Sequence, residues 1–200
     1  MPKGDSKKTI EKILQTSEEL FSEHGFNATS ISMISDRAGV SNALIYYHFK
    51  DKDDIIKSLF ENLLAESDRY VEEASSFVPN ENGVIGMIKE EISYMQNKDK
   101  ILNIMLMESL KDNDKCGYFF DLAEKIIRNE SEGKIDLDDD TVNPKDKQKY
   151  LVYEFFTGVI PLIMFTVFRD KWCKRFKCDP DEITDMFLEA FYETHLSRNH

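Results

Sequence analysis

Two hundred residues with 41% hydrophobic content are enough for one large domain or two small ones, each with a proper core. The chain has 26 basic and 38 acidic side chains, a net charge of −12, which excludes a polyanion binder that works by bulk charge. Residues 1–52, however, hold seven basic and seven acidic side chains, so the acidic surplus falls on the remainder, where it reads as a solvated, solubilising surface.

The N-terminus, MPKGDSKK, lacks an apolar run after its charges and does not read as a secretory signal. Lys3, Lys7 and Lys8 read as a short basic arm, expected to be disordered without a partner. Ile10, Ile13, Leu14, Ser17, Leu20 and Phe21 then fall at helical spacing and give one stripe for a small helical core. Gly25 stands where a helix needs a left-handed stop, with Phe26 folding back on the last turn.

Thr29 and Ser30 offer a hydroxyl N-cap for a second helix whose apolar face is Ile31, Ile34 and Ala38, and Gly39 ends it. Ser41 can cap a third helix at once. Val40 and Ile45 would pack back, while Asn42 and Ala43 are short enough to approach base edges. Tyr46, Tyr47, His48, Lys50 and Lys52 follow as an aromatic and basic cluster suited to phosphates. Helices packing without DNA would explain the apolar stripes, but not the capped start of the third helix with its small polar residues.

Asp51 and Asp54 can open a long helix with Ile55, Ile56, Leu59, Phe60, Leu63, Leu64, Tyr70 and Val71 on its apolar face, linking the reading head to the body. A break is expected over Ser75 to Gly83, at Pro79 and Gly83. Helices are expected over Gly83 to Asn97, Lys100 to Lys111 and about Tyr118 to Asn129. Ser131 to Pro144 reads as an acidic loop. Its Asp136, Asp138, Asp139 and Asp140 lack the glycine and distal glutamate of a calcium loop.

Leu151 to Phe168 is a greasy run interrupted by Glu154, Gly158 and Pro161, expected to be a buried helix and not a membrane span. Glu154 is read as exposed, as paired with Lys149 or Arg169, or as kept for a ligand. Pro161 removes the amide that would bond the Thr157 carbonyl and predicts a kink. Asp179, Pro180 and Glu182 open the final helix, which carries two apolar faces, Ile183, Met186, Phe187, Ala190 and Phe191 on one and Leu188, Tyr192 and Leu196 on the other. Cys116, Cys173 and Cys178 have no metal spacing and point to reduced thiols in the cytoplasm; packing is a plainer reading of Cys173 and Cys178 than redox sensing. The four histidines, at 24, 48, 195 and 200, form no catalytic or metal constellation, so an enzyme is not expected.

LFSEHGFNATS, then AGVS, then YYHF and a lysine three residues later, all in register from Ile10 to about Phe60, resemble the DNA-binding domain of TetR-type transcriptional regulators. Ala43 stands where that family commonly has glycine, and Leu44 where it commonly has a smaller residue. The resemblance implies an all-α chain of about nine helices, with a three-helix helix-turn-helix domain over 1–52 and a helical effector-binding and dimerisation domain over 53–200. It implies a homodimeric regulator, a repressor more than an activator, reading double-stranded palindromic operator DNA through Thr29, Ser30, Ser41, Asn42, Ala43, Tyr46, Tyr47, His48, Lys50 and Lys52. A small, largely apolar effector would release it, in a pocket drawn from Met87, Tyr94, Met105, Tyr118, Phe119, Glu154, Phe155 and Met164. The last two helices would pair between subunits through Phe187, Leu188, Phe191 and Tyr192. No cofactor, metal or membrane is expected. The competing reading is a helical protein-interaction adaptor that never meets DNA.

Overall fold

A computed structural model describes residues 3–74, 83–130 and 135–196, and every regular element among them is helical. In chain order these are α1 (Lys3–His24), α2 (Ile31–Ala38), α3 (Asn42–His48), α4 (Lys52–Ala74), α5 (Gly83–Gln96), α6 (Asp99–Ser109) and α7 (Asn113–Glu130). Then come α8 (Pro144–Phe176) and α9 (Pro180–Phe191), which runs on as a π-helical turn over Tyr192–Leu196. A second π-helical turn, Glu154–Val159, lies inside α8. The expected break over 75–82, with Pro79, lies outside the described residues, as do positions 131–134 of the acidic loop.

Local signals account for most boundaries. Ser30 accepts the Met33 amide, Ser41 the Leu44 amide, and Asp179 the amides of Asp181 and Glu182, each satisfying donors that a helix start leaves open. Asp51 Oδ1 accepts the Asp54 amide while Asp54 Oδ2 accepts that of Lys50, a reciprocal box at the start of α4. Gly25 at φ 84° and Gly39 at φ 63° hold the left-handed conformations that stop α1 and α2. The N-terminal arm is a correction: α1 begins at Lys3, so Lys7 and Lys8 belong to its first turns.

The chain divides into two compact units, one built from 1–67 with 100–120 and the other from 68–99 with 121–200. The first therefore extends beyond the expected 1–52 and takes in a distant stretch, for a physical reason. Lys115, almost wholly buried, reaches Asp53 at 2.9 Å and Asp112 at 3.3 Å and lies 4.4 Å from the centre of the Phe26 ring. Burial would lower its pKa, but the two carboxylates outweigh that and raise it. Phe60, fully buried on α4, packs on Tyr118 at 5.6 Å.

In the second unit α5 packs on α8 and α9. Leu162, Ile163 and Val167 of α8 are buried together with Leu188 and Phe191 of α9, and Phe165 stacks on Phe187 at 4.0 Å. By length and composition α8 could cross a membrane. The expectation that Leu151 to Phe168 is a buried helix is corrected, because Val152, Phe156 and Phe168 are about half exposed or more, as are Trp172 and Phe176 beyond that run. In the acidic loop, Asp138 pairs with Arg128 at 3.0 Å, and Asp139 accepts the Thr141 amide and hydroxyl, so these carboxylates make turns and ion pairs.

Candidate nucleic-acid interface

The reading head is set by what α3 buries and what it leaves out. Ile45 is fully buried against a floor that includes Ile34 and Ala38 of α2, also fully buried, and Phe49 closes the far end. With Ile45 fixed inward, helical spacing turns Ala43, Tyr46 and Tyr47 away from it, while Asn42 stands at the open N-terminal end of α3. All four are exposed, Tyr47 at 78%. Large aromatic side chains are normally covered, so two exposed tyrosines beside an asparagine on a seven-residue helix call for a ligand surface. Tyr47 lies edge-on to His48 at 4.9 Å, and Lys50 is exposed just beyond. Ser30 and Ser41 are exposed too, each already used as an N-cap, so their helix N-termini offer free backbone amides to an anion.

Two of the ten expected DNA contacts are corrected. Thr29 is 1% exposed and its hydroxyl donates to the carbonyls of Leu20 and Gly25, so it ties the α1 stop to the α2 start and presents nothing outward. The Lys52 ammonium donates to the carbonyls of Phe26 at 2.7 Å and Thr29 at 2.8 Å and sits 4.4 Å from the Phe26 ring centre. Its charge is engaged inside the head. Arg37 at the end of α2 pairs with Glu23 at 2.8 Å, and this hydrogen bond holds the Glu23 carboxyl below its ordinary range.

The eight expected effector residues are divided between the two units. Met105, Tyr118 and Phe119 belong to the first unit, where Met105 is fully buried core. Met87, Tyr94, Glu154, Phe155 and Met164 belong to the second. Met87 and Met164 are exposed, Tyr94 stacks on Tyr70 at 3.9 Å, and Phe155 meets Phe156 edge-on. Glu154, 1% exposed, faces His195, also 1% exposed, with Oε2 and Nε2 3.1 Å apart; its partner is neither Lys149 nor Arg169. The carboxyl that sequence reasoning missed is Glu91, on the α5 face that carries the buried Ile88, Ile92 and Met95. Burial pushes it up to about 7. Helical spacing from Ile88 and Ile92 could have found it.

Among the expected association residues, Leu188 and Phe191 are 3% and 5% exposed and Phe187 is half-buried against Phe165, so these three serve the core of their own subunit. Of that set only Tyr192 is exposed, and Met186 joins it on the outer side of α9.

Residues 13–59 match the family model described as bacterial regulatory proteins, tetR family. The regulator AcrR of Shigella flexneri is 40% identical over 65 residues, a match covering 32% of this chain and 29% of that protein. The repressor BepR of Brucella suis biovar 1 is 26% identical over 132 residues, covering 63% of this chain and 59% of its own length. The chain thus spans less than two thirds of the length of these curated relatives. In fold, the structure of the regulator FadR from Bacillus subtilis in complex with stearoyl-CoA aligns over 90% of this chain and 96% of its own, with a TM-score of 0.55 and 19% identity. The capped helix-turn-helix with its exposed third-helix face lies inside the stretch that the family model matches, so this part of the chain is similar to the tetR family of bacterial regulatory proteins.

Proposed function

We propose that the protein is a homodimeric, ligand-responsive repressor that binds a palindromic operator in the cytoplasm. The observation that carries the reading is the outward face of α3, where Asn42, Ala43, Tyr46 and Tyr47 are exposed while Ile45 is locked beneath them. In the major groove, Asn42 would hydrogen-bond a base edge and Ala43 would touch a thymine methyl. Tyr46, Tyr47, His48, Lys50 and the amides behind Ser30 and Ser41 would hold phosphates. A second copy of the chain would place a second α3 on the other half-site.

A small, largely apolar effector in the second unit would favour a head spacing that no longer fits the operator, a coupling that requires only about 1–3 kcal/mol. The stearoyl-CoA held by the structural relative supports an effector of that character. Glu91 is the polar partner offered by this chain in place of Glu154, which faces His195 at 3.1 Å.

Selection from randomised duplexes tests the DNA reading. Asn42→Ala should relax one position of the selected sequence at a cost of roughly 1–3 kcal/mol, and Lys50→Ala should weaken all sequences alike and lower the salt slope by about one. Absence of salt-dependent duplex binding by the wild-type chain would favour the protein-interaction adaptor instead.

A further inference from the structure

The corner between α8 and α9 closes on two thiols. α8 ends at Phe176, Lys177 takes the left-handed conformation at φ 56°, and the Cys178 amide bonds back to the Cys173 carbonyl at 3.2 Å. This is a Schellman stop. Its six-to-one hydrogen bond brings together the side chains at the third helical position before the cap and the second residue after it, where an apolar pair normally meets. Here both positions are cysteine. The two backbones are held by that bond within the short reach that a disulfide requires.

Their environments differ in a useful way. Cys173 is 6% exposed, while Cys178 is half-buried and reachable from solvent. Burial, together with the hydrogen-bonding contact with Cys178, pushes the Cys173 thiol above its usual range. Lys177 is the one non-glycine residue with positive φ among the described residues, so the chain accepts local strain to make this turn.

We propose that Cys173 and Cys178 are a redox modification site that closes to an intramolecular disulfide on exposure to hydrogen peroxide. The Cys178 sulfur attacks the peroxide, whose O–O bond breaks, giving a Cys178 sulfenic acid and one water. The Cys173 sulfur then attacks the Cys178 sulfur; the S–S bond forms as the S–O bond breaks, and a second water leaves with the Cys173 proton. Two thiols are oxidised and one peroxide is reduced. The bond fixes the turn between the two helices of the second unit that carry most of its exposed large apolar side chains. The site does not depend on the regulator reading.

Peroxide treatment of the full chain, alkylation of the remaining thiols in denaturant and tryptic mass spectrometry test it directly. Trypsin cuts after Lys174 and Lys177, so Cys173 and Cys178 leave on separate peptides joined only through a disulfide. The expected result is that joined pair within a single chain, released by reduction, with Cys116 alkylated throughout. Cys178→Ser should lose the joined pair completely, and Cys173→Ser should leave a Cys178 sulfenic acid that dimedone captures, both variants keeping the wild-type helical circular dichroism. Disulfides formed only between chains would overturn the proposal. So would a pair that uses Cys116, or a Cys178 oxidised alone while wild-type Cys173 is still alkylated.

Discussion

The Lys52 ammonium is surrounded by carbonyl oxygens of the loop between α1 and α2 and covers the Phe26 ring. Burial lowers its pKa while the charge of Asp53 and then Glu108 raises it, the burial effect being the larger. Lys52→Ala would take the ammonium donor from the part-buried Thr29 carbonyl and leave the Phe26 carbonyl with the Thr29 amide at 3.3 Å, a change that costs about 1–3 kcal/mol, so calorimetry should show a lower Tm. Lys50→Ala, at an exposed site, should leave Tm unchanged and act on DNA affinity alone. An unaltered Tm for Lys52→Ala would return that lysine to the phosphates. Glu91 gives a pH-dependent case. Its carboxyl is pushed from the ordinary 4.5 to about 7, so between those values the folded chain keeps a proton that the unfolded chain has released. Stability from this group therefore falls as pH rises through that window, by an amount on the order of a few kcal/mol. Glu91→Gln should match wild type near the acid end and exceed it above neutrality. Parallel curves of unfolding free energy against pH would contradict the burial of this carboxyl.

At the scale of elements, α8 shows what sequence could and could not tell. Caps and stops were legible because each depends on neighbours in sequence: Ser30, Ser41, Asp51 and Asp179 at helix starts, Gly25 and Gly39 at ends. At Pro161 the missing amide was legible, yet the backbone that surrounds it was not. Ahead of Pro161 the helix takes a π turn in which the Ile160 amide bonds the Phe155 carbonyl, five residues back. Inside that turn Glu154 faces His195, whose place on the last helix no local pattern predicts. The Thr157 hydroxyl donates to the Tyr153 carbonyl at 2.7 Å, so it accepts from His195 Nδ1 at 2.9 Å. Glu154 Oε2 and His195 Nε2 approach to 3.1 Å without an aligned hydrogen bond. Gly158 permits it, since a Cβ there would lie 2.9 Å from Nε2 and 3.3 Å from Oε2. Glu154→Leu should destabilise by about 3–5 kcal/mol in urea unfolding, because it leaves His195 buried without its partner. The double variant Glu154→Leu with His195→Leu should be less destabilised than that single change. Strict additivity would mean the two groups do not interact.

For the whole molecule, the question is what covers the apolar residues that the second unit leaves in water. Val152, Phe156, Met164, Phe168, Trp172 and Phe176 recur on α8 in steps of four or multiples of four, so they form one winding ridge; α9 adds Met186 and Tyr192. A ridge of this length is more than the scattered surface apolar residues of an ordinary monomer, and a net charge of −12 keeps such a chain soluble without covering it. A second copy meeting it with the same ridge is the self-complementary solution expected of a two-fold dimer. For the dimer proposed above, the interface then lies on the outer side of these helices in place of Phe187, Leu188 and Phe191. The two sets of residues should respond differently to charge. Trp172→Glu, at a site 53% exposed, should leave the helical content and melting of the subunit nearly intact while sedimentation shifts from dimer to monomer. Operator affinity should fall with it, since one head makes half the contacts. Leu188→Glu, at a site 3% exposed, should instead lower the melting temperature sharply, because the charge enters the core of its own subunit. A dimer that survives both Trp172→Glu and Phe168→Glu would exclude the α8 ridge as the association surface, whereas a well-folded monomer from Leu188→Glu would restore the inner face of α9 to that role.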